Sequence, residues 1–260
     1  NLYHDALPLS AVLVITLVIV LAAIEVGYQL GRWRQAQLGG HNESEAQLSS
    51  MTGAHLALLA FIMAFSFSMA AGHYGDRREL VQKDANAIGT AYLRASLIEA
   101  PETAAIQELL LEYTAMRAKI ETTTDFDSVI RRSDEIHQAL WQQVQSLTSA
   151  TSPNVLQSLL IQSLNDVFDV HNDRMAAGLK NRVPPSLWLV LAALLTLSML
   201  GIGYFSGNKG HRNPIASTGL ALSFSLILLL IADLDRPAGG SVRADQFAMI
   251  NLLETLQRSP

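Results

Sequence analysis

Apolar positions collect in four long stretches, two on each side of a polar middle: Ala6–Ile24, Leu56–Ala71, Leu187–Phe205 and Ile215–Ala232. The hydrocarbon core of a bilayer is about 30 Å thick and takes ~20 apolar residues to cross as a helix. The first stretch is uncharged as far as Glu25, and the second has no acidic or basic side chain from Gly53 to Gly72 apart from His55. The pattern therefore predicts four membrane-spanning helices. No basic segment precedes the first stretch and no small-residue cleavage site follows it, so it does not read as a secretory signal. Pro8 marks the entry to the first span, while Gly27, Gly31, Arg32, Trp33 and Arg34 mark its exit. Trp33, Tyr74, Trp188 and Tyr204 fall near span ends, where amphipathic rings prefer to lie. Gly39–Met51 reads as a polar loop, and the short turn Gly207–Pro214 makes spans three and four an antiparallel hairpin.

The middle, His73–Arg182, carries helical seams and none of the period-two alternation of a strand. Val81, Ala85, Ile88, Tyr92 and Ala95 form one seam by steps of four and three. Ile106, Leu109, Tyr113, Met116 and Ile120 form a second, after Pro101. Ile136, Leu140, Val144 and Leu147 give a third, and Leu156, Leu160, Leu164 and Val167, after Pro153, a fourth. The first of these helices is expected to continue span two without a break, since only Gly72 and Gly75 interrupt it. The last is expected to run on towards span three, with Val183-Pro184-Pro185 stopping it just before the span. Ser241–Gln257 reads as a short amphipathic helix with Phe247, Ile250, Leu253 and Leu256 on its apolar face. The expected fold class is all-α and integral to the membrane, with a helical domain between spans two and three. The segments are 1–72, 73–183, 184–235 and 236–260.

Composition adds limits. Half of the 260 residues are hydrophobic and 16% are charged, which suits a chain that is part membrane and part water-facing helix. The absence of cysteine excludes disulfides, thiolate metal sites and cysteine nucleophiles. A net charge of −5 argues against nucleic acid as a partner. A chain that starts at Asn1 is expected to have its natural N-terminus processed or further upstream. Orientation follows from basic residues near the span ends. Arg77, Arg78, Lys83, Arg174, Lys180, Arg182, Arg236 and Arg243 lie on the side of the termini and the helical domain, against Arg32, Arg34, Lys209 and Arg212 on the other. Eight against four places the termini and the domain in the cytoplasm.

Candidate chemistry is sparse. Phe61 and Phe65 are four apart and share a helix face with Leu58 and Ser68. Such a face either stacks apolar rings round an axis, where a constriction gates by dewetting, or packs against helices or lipid. Ser66, Ser68, Ser223 and Ser225 read as packing residues. Arg77, Arg78, Asp233, Asp235 and Arg236 gather where spans two and four leave the membrane. They form either an ion site or ion pairs between the two feet, and pairing is favoured because unpaired carboxylates are costly there. Glu25 is expected to snorkel or to pair with Arg32. His73, Asp76, Asp166, Asp169, His171 and Asp173 make a weak metal constellation and read as a solvated face. No Ser-His-Asp set, phosphate loop or zincin motif occurs, so the chain is expected to be no enzyme and to need no cofactor and no metal.

Three segments resemble the bestrophin-like family of bacterial and plant membrane proteins. The first is Phe61–Arg94, FIMAFSFSMAAGHYGDRRELVQKDANAIGTAYLR, whose run from Asp84 to Arg94 matches the family pattern nearly end to end. The second is Ile231–Gly240, IADLDRPAGG, and the third and weakest is Glu25-x-Gly27-x-x-x-Gly31. The resemblance implies a distant likeness to bestrophins, which are pentameric ion channels with cytoplasmic termini and a pore-lining second span. It implies a homo-oligomer in lipid, a pentamer in the bacterial inner membrane, with a neck at Leu58, Phe61, Phe65 and Ser68. The acidic run of the bestrophin calcium clasp is reduced here to Asp233 and Asp235. The contrasting expectation is a structural or assembly subunit that docks onto another membrane complex.

Overall fold

The computed structural model describes residues 7–37, 45–120, 126–149, 154–210, 212–237 and 240–258. Among them the fold is all-α and without strands: α1 (Leu9–Gln37), α2 (Glu45–Ala95), α3 (Pro101–Ala118), α4 (Phe126–Ser149), α5 (Val155–Leu179), α6 (Pro185–Lys209), α7 (Pro214–Asp235) and α8 (Phe247–Arg258). Helices α1, α2, α6 and α7 are long and apolar enough to cross a bilayer. Two compact units result, one of Asn1–His73 with Arg182–Val242, the other of Tyr74–Asn181 with Arg243–Pro260. Residues 39–44 of the polar loop read after span one, and Pro153, lie outside the described residues, whereas the rest of that loop, Glu45–Met51, is instead the first turns of α2.

Helix α2 contributes to both units and runs through Gly72 and Gly75 as expected. A single glycine costs a helix about 1 kcal/mol relative to alanine, too little to break one that lacks proline. The expected run from the fourth middle helix towards span three is not found. α5 ends at Leu179, Lys180 and Asn181 turn their N–H groups back to the Ala176 carbonyl, and α6 starts afresh with Pro185 in its first turn. Pro184 disfavours helical geometry at Val183, and the helix has already ended four residues earlier, at Leu179.

In the first unit α1 packs against α6 and α7. The α1–α6 contact rests on four glycines. A Cβ at Gly27 would overlap the Leu200 carbonyl, at Gly31 the Tyr204 carbonyl, at Gly203 the Ile24 carbonyl and at Gly207 the Tyr28 carbonyl. Two small-xxx-small faces thus meet backbone to backbone, the device that selects partners where both sides are equally apolar. α6 and α7 follow each other across a short connection as expected, and each packs against α1. Gly210 closes α6 at φ 68°, and the Asn213 side chain accepts the Ala216 N–H at 3.1 Å to cap α7.

The second unit has a water-soluble kind of core. Ala85, Ile88, Ala91 and Ala95 of α2 pack with Ile106, Leu110 and Tyr113 of α3, Ile136 and Leu140 of α4, Leu160, Leu164 and Val167 of α5, and Met249 of α8. The expected seams of α2 and α4 are buried nearly as read, whereas Leu156 is exposed and Gln157 takes its place inside. Asn154 and Gln157 form a reciprocal capping box, which turns Gln157 inward. The C-terminal helix is shorter than expected, and its buried side is Met249 and Leu256, while Phe247 and Ile250 are exposed. Asp245 accepts the Phe247 N–H at 2.9 Å, so its side chain fixes the start six residues past Ser241.

Candidate functional site

The apolar part of α2 has two contrasting faces. Leu59, Met63, Ser66 and Ala70 are buried. Leu58, Phe61 and Phe65 are 47%, 67% and 54% exposed, and Ser68 is exposed beside them. At 3.6 residues per turn the two sets are centred roughly 150° apart. The aromatic face therefore points away from the helix's own unit, and Phe67, 39% exposed, lies off both faces. Ser66 spends its hydroxyl on the Ile62 carbonyl at 2.7 Å and Ser223 on the Gly219 carbonyl at 2.9 Å. Those bonds within the helix suit packing residues.

Asp233, Asp235 and Arg236 are buried in the first unit. Asp235 accepts the Val183 N–H at 2.8 Å and lies 4.0 Å from His73 Nδ1. Asp233 accepts the N–H of Ser241 at 2.7 Å and also its hydroxyl. Each carboxylate thus ties the end of α7 to a neighbouring chain turn. A Cβ at Gly240 would press into the Asp233 carboxylate, which explains a glycine there; Ala238 and Gly239 of the same motif lie outside the described residues. In the second unit Arg77 is buried and Arg78 exposed, the latter lining a cleft of about 430 Å³ with Glu79, Gln82, Asp245 and Phe247. Glu25 pairs with Arg212, not with Arg32, and the Arg212 guanidinium stacks 4.6 Å over the Tyr28 ring. Tyr28 lies about one turn from Glu25 on α1, so the guanidinium over its ring reaches the carboxylate.

Two buried polar clusters of the second unit were not read from the sequence. Asp84, fully buried, accepts Arg117 Nη2 at 3.3 Å and Arg174 Nη1 at 2.5 Å, and Arg174 also donates to Gln246 at 3.3 Å. One carboxylate thereby joins α2, α3, α5 and the approach to α8. Burial, then the neighbouring Arg117 charge, lowers the Arg174 pKa, and Asp84 opposes both. The signal was present: Asp84 falls on the apolar seam between Val81 and Ala85.

The second cluster joins α3, α4 and α5. The Tyr113 hydroxyl lies 3.0 Å from His171 Nδ1, and the His137 ring sits 4.7 Å from that of His171 and 4.6 Å from Phe168. Burial raises the Tyr113 pKa. Burial also brings both histidines down to about 4, with Arg117 pushing His171 further in that direction. Asp134 reaches the same place, its Oδ1 4.0 Å from His171 Nε2. Of the constellation read from the sequence, His171 is buried here, while Asp166, Asp169 and Asp173 stay on the solvated side of α5.

Comparisons with known proteins give a family and a fold. A model of the bestrophin-like domain matches residues 13–248. A crystal structure of a mutant bacterial bestrophin homologue from Klebsiella pneumoniae superposes with a TM-score of 0.66 at 16% identity, covering 96% of each chain. Another mutant of that homologue gives 0.65 at 17% identity over 95% of each chain. A mutant structure described only as a membrane protein gives 0.64 at 18% identity over 96% of each. No curated protein matches the chain.

Proposed function

The chain belongs to the bestrophin-like family, and on that premise we propose that it is a homo-oligomeric ion channel whose axis is lined by the α2 face of Leu58, Phe61, Phe65 and Ser68. One observation carries the reading. The most aromatic face of a membrane-spanning helix is turned away from its own unit, with the helix anchored by Leu59, Met63, Ser66 and Ala70 behind it. In a closed ring of copies that face meets its symmetry mates, and apolar rings close the pore until it is wetted. Ring formation also gives an occupant to the apolar surface at the end of α2 and the start of α5. Leu93, Leu97, Val155 and Leu159 are exposed there, and Arg94 donates to the Leu159 carbonyl at 2.8 Å.

The proposal includes a pentamer by family likeness, cytoplasmic termini from the excess of basic residues, and no catalytic role.

Flux through liposomes reconstituted with intact oligomer tests the function. Phe61→Ala with Phe65→Ala removes the constriction without touching a charge, so ion flux should rise at least several-fold over the parent. Phe67→Ala should leave it near the parent level. Equal, undetectable flux from all three proteins would favour a subunit that docks on a foreign membrane complex.

A further inference from the structure

Two imidazoles and a carboxylate converge at the junction of α3, α4 and α5, and the pore reading uses none of them. Asp134 and His137 are one turn apart on α4, and His171 faces them from α5. One donor atom of each lies within 4.8 Å of the others. The Tyr113 hydroxyl occupies Nδ1 of His171, which leaves Nε2 as the nitrogen facing Asp134. His137 Nε2 is buried, and no described group hydrogen-bonds to it. We propose that Asp134, His137 and His171 bind one transition-metal dication of the Zn²⁺ class, clipping α4 to α5.

The donor set selects the ion. Imidazole nitrogen with one carboxylate suits Zn²⁺ and its neighbours, whereas Ca²⁺ and Mg²⁺ take oxygen shells and Cu(I) prefers sulfur. Ligands about 2.1 Å from a tetrahedral ion stand about 3.4 Å apart. Closing from 4.0 Å between His171 and Asp134 asks only a side-chain rotation of Asp134, whose side chain is 61% exposed. That exposure also gives the ion a way in and leaves a position for water. The Tyr113–His171 bond is the outer contact that holds a ligating ring in one tautomer and orientation. The nearby Arg117 charge opposes a cation, but Asp84 already faces it at 3.3 Å. Aromatic packing alone accounts for the ring planes of Tyr113, His137 and Phe168, yet it leaves His137 Nε2 without a hydrogen-bond partner among the described residues.

The inference stands apart from channel activity, and so does its test. Full-length, tag-free protein in detergent is stripped with chelator, then titrated with Zn²⁺ by calorimetry and with Co²⁺ by its visible absorption. One ion per chain is expected, with a metal-dependent rise in Tm. Asp134→Asn and His137→Gln should each weaken binding by about tenfold or more, and Tyr113→Phe should keep the stoichiometry at lower affinity, as expected of outer-contact changes. Should the histidine variant not fold, Asp134→Asn, at an exposed side chain, decides alone. No saturable binding at micromolar Zn²⁺ in the parent, or parent-like binding in Asp134→Asn, overturns the proposal.

Discussion

The two units of the chain solve the same problem, holding helices together, by opposite means. In the first unit α1 and α6 meet through Gly27, Gly31, Gly203 and Gly207, where the backbones touch and no side chain intervenes. In the second, helices meet through large apolar side chains with a carboxylate and two guanidiniums buried among them. The solvent explains the difference. Lipid is as apolar as leucine, so hydrophobic residues cannot choose a partner there and close approach must do it. Water drives apolar seams together without regard to register, and a buried carboxylate paired with two guanidiniums then fixes which seam meets which.

The contrast breaks most sharply at Asp84. Asp84→Ala leaves Arg117 and Arg174 buried without their shared counter-charge, so it should cost about 3–5 kcal/mol. Chemical denaturation monitored by circular dichroism reads this. A loss under about 1 kcal/mol would mean that the triad is not a determinant of the second unit.

Acid should act on the second unit next. His137 and His171 are neutral in the fold, with pKa values of about 4 against an ordinary 6.5. Below pH 6.5 the unfolded chain takes up protons that the folded chain refuses, so stability is complete above that pH and is lost as pH falls towards 4. The loss is at most about 3 kcal/mol per imidazole. Denaturation of chelator-treated protein across that window should show it, with a shallower slope in His137→Gln. A flat profile would contradict burial of these rings.

Glycine substitution sharpens the other half of the comparison. Gly203→Ala drives a methyl into the Ile24 carbonyl and should cost roughly 1–3 kcal/mol by overpacking. The same change at Gly219, where nothing lies within 4 Å, should be neutral or slightly stabilising. Thermal midpoints in detergent compare the two, and equal shifts would remove the special role of the α1–α6 contact.

Hydropathy and period made the spans, the short α6–α7 connection and the seams of α2 and α4 legible, because burial in lipid or in a core selects residue types directly. Asp84, Arg117, His137 and His171 were not legible as partners. They meet across 33 to 90 residues of chain, and a polar residue on an apolar seam announces burial without announcing with what. The family-like run from Asp84 to Arg94 shows the same limit. It reads as a motif of the second span, yet Asp84 anchors the triad, Ala85, Ile88 and Ala91 fill the core, Gly89 makes room for Leu252, and Arg94 ties down α5. The Gly203-x-x-x-Gly207 partner of the α1 glycines does not stand out in the sequence, because it lies inside a span, where small residues hardly alter hydropathy.

The claim at the centre is that the outward face of α2 lines an ion path, and the lack of cysteine makes it directly testable. Single-cysteine proteins Phe61→Cys, Phe65→Cys and Phe67→Cys are reconstituted, and ion flux is followed as a water-soluble thiol reagent is added. Flux through the first two should be blocked and flux through the third unchanged. Indifference of all three to the reagent, or block at Phe67→Cys equal to that at Phe61→Cys, would contradict it.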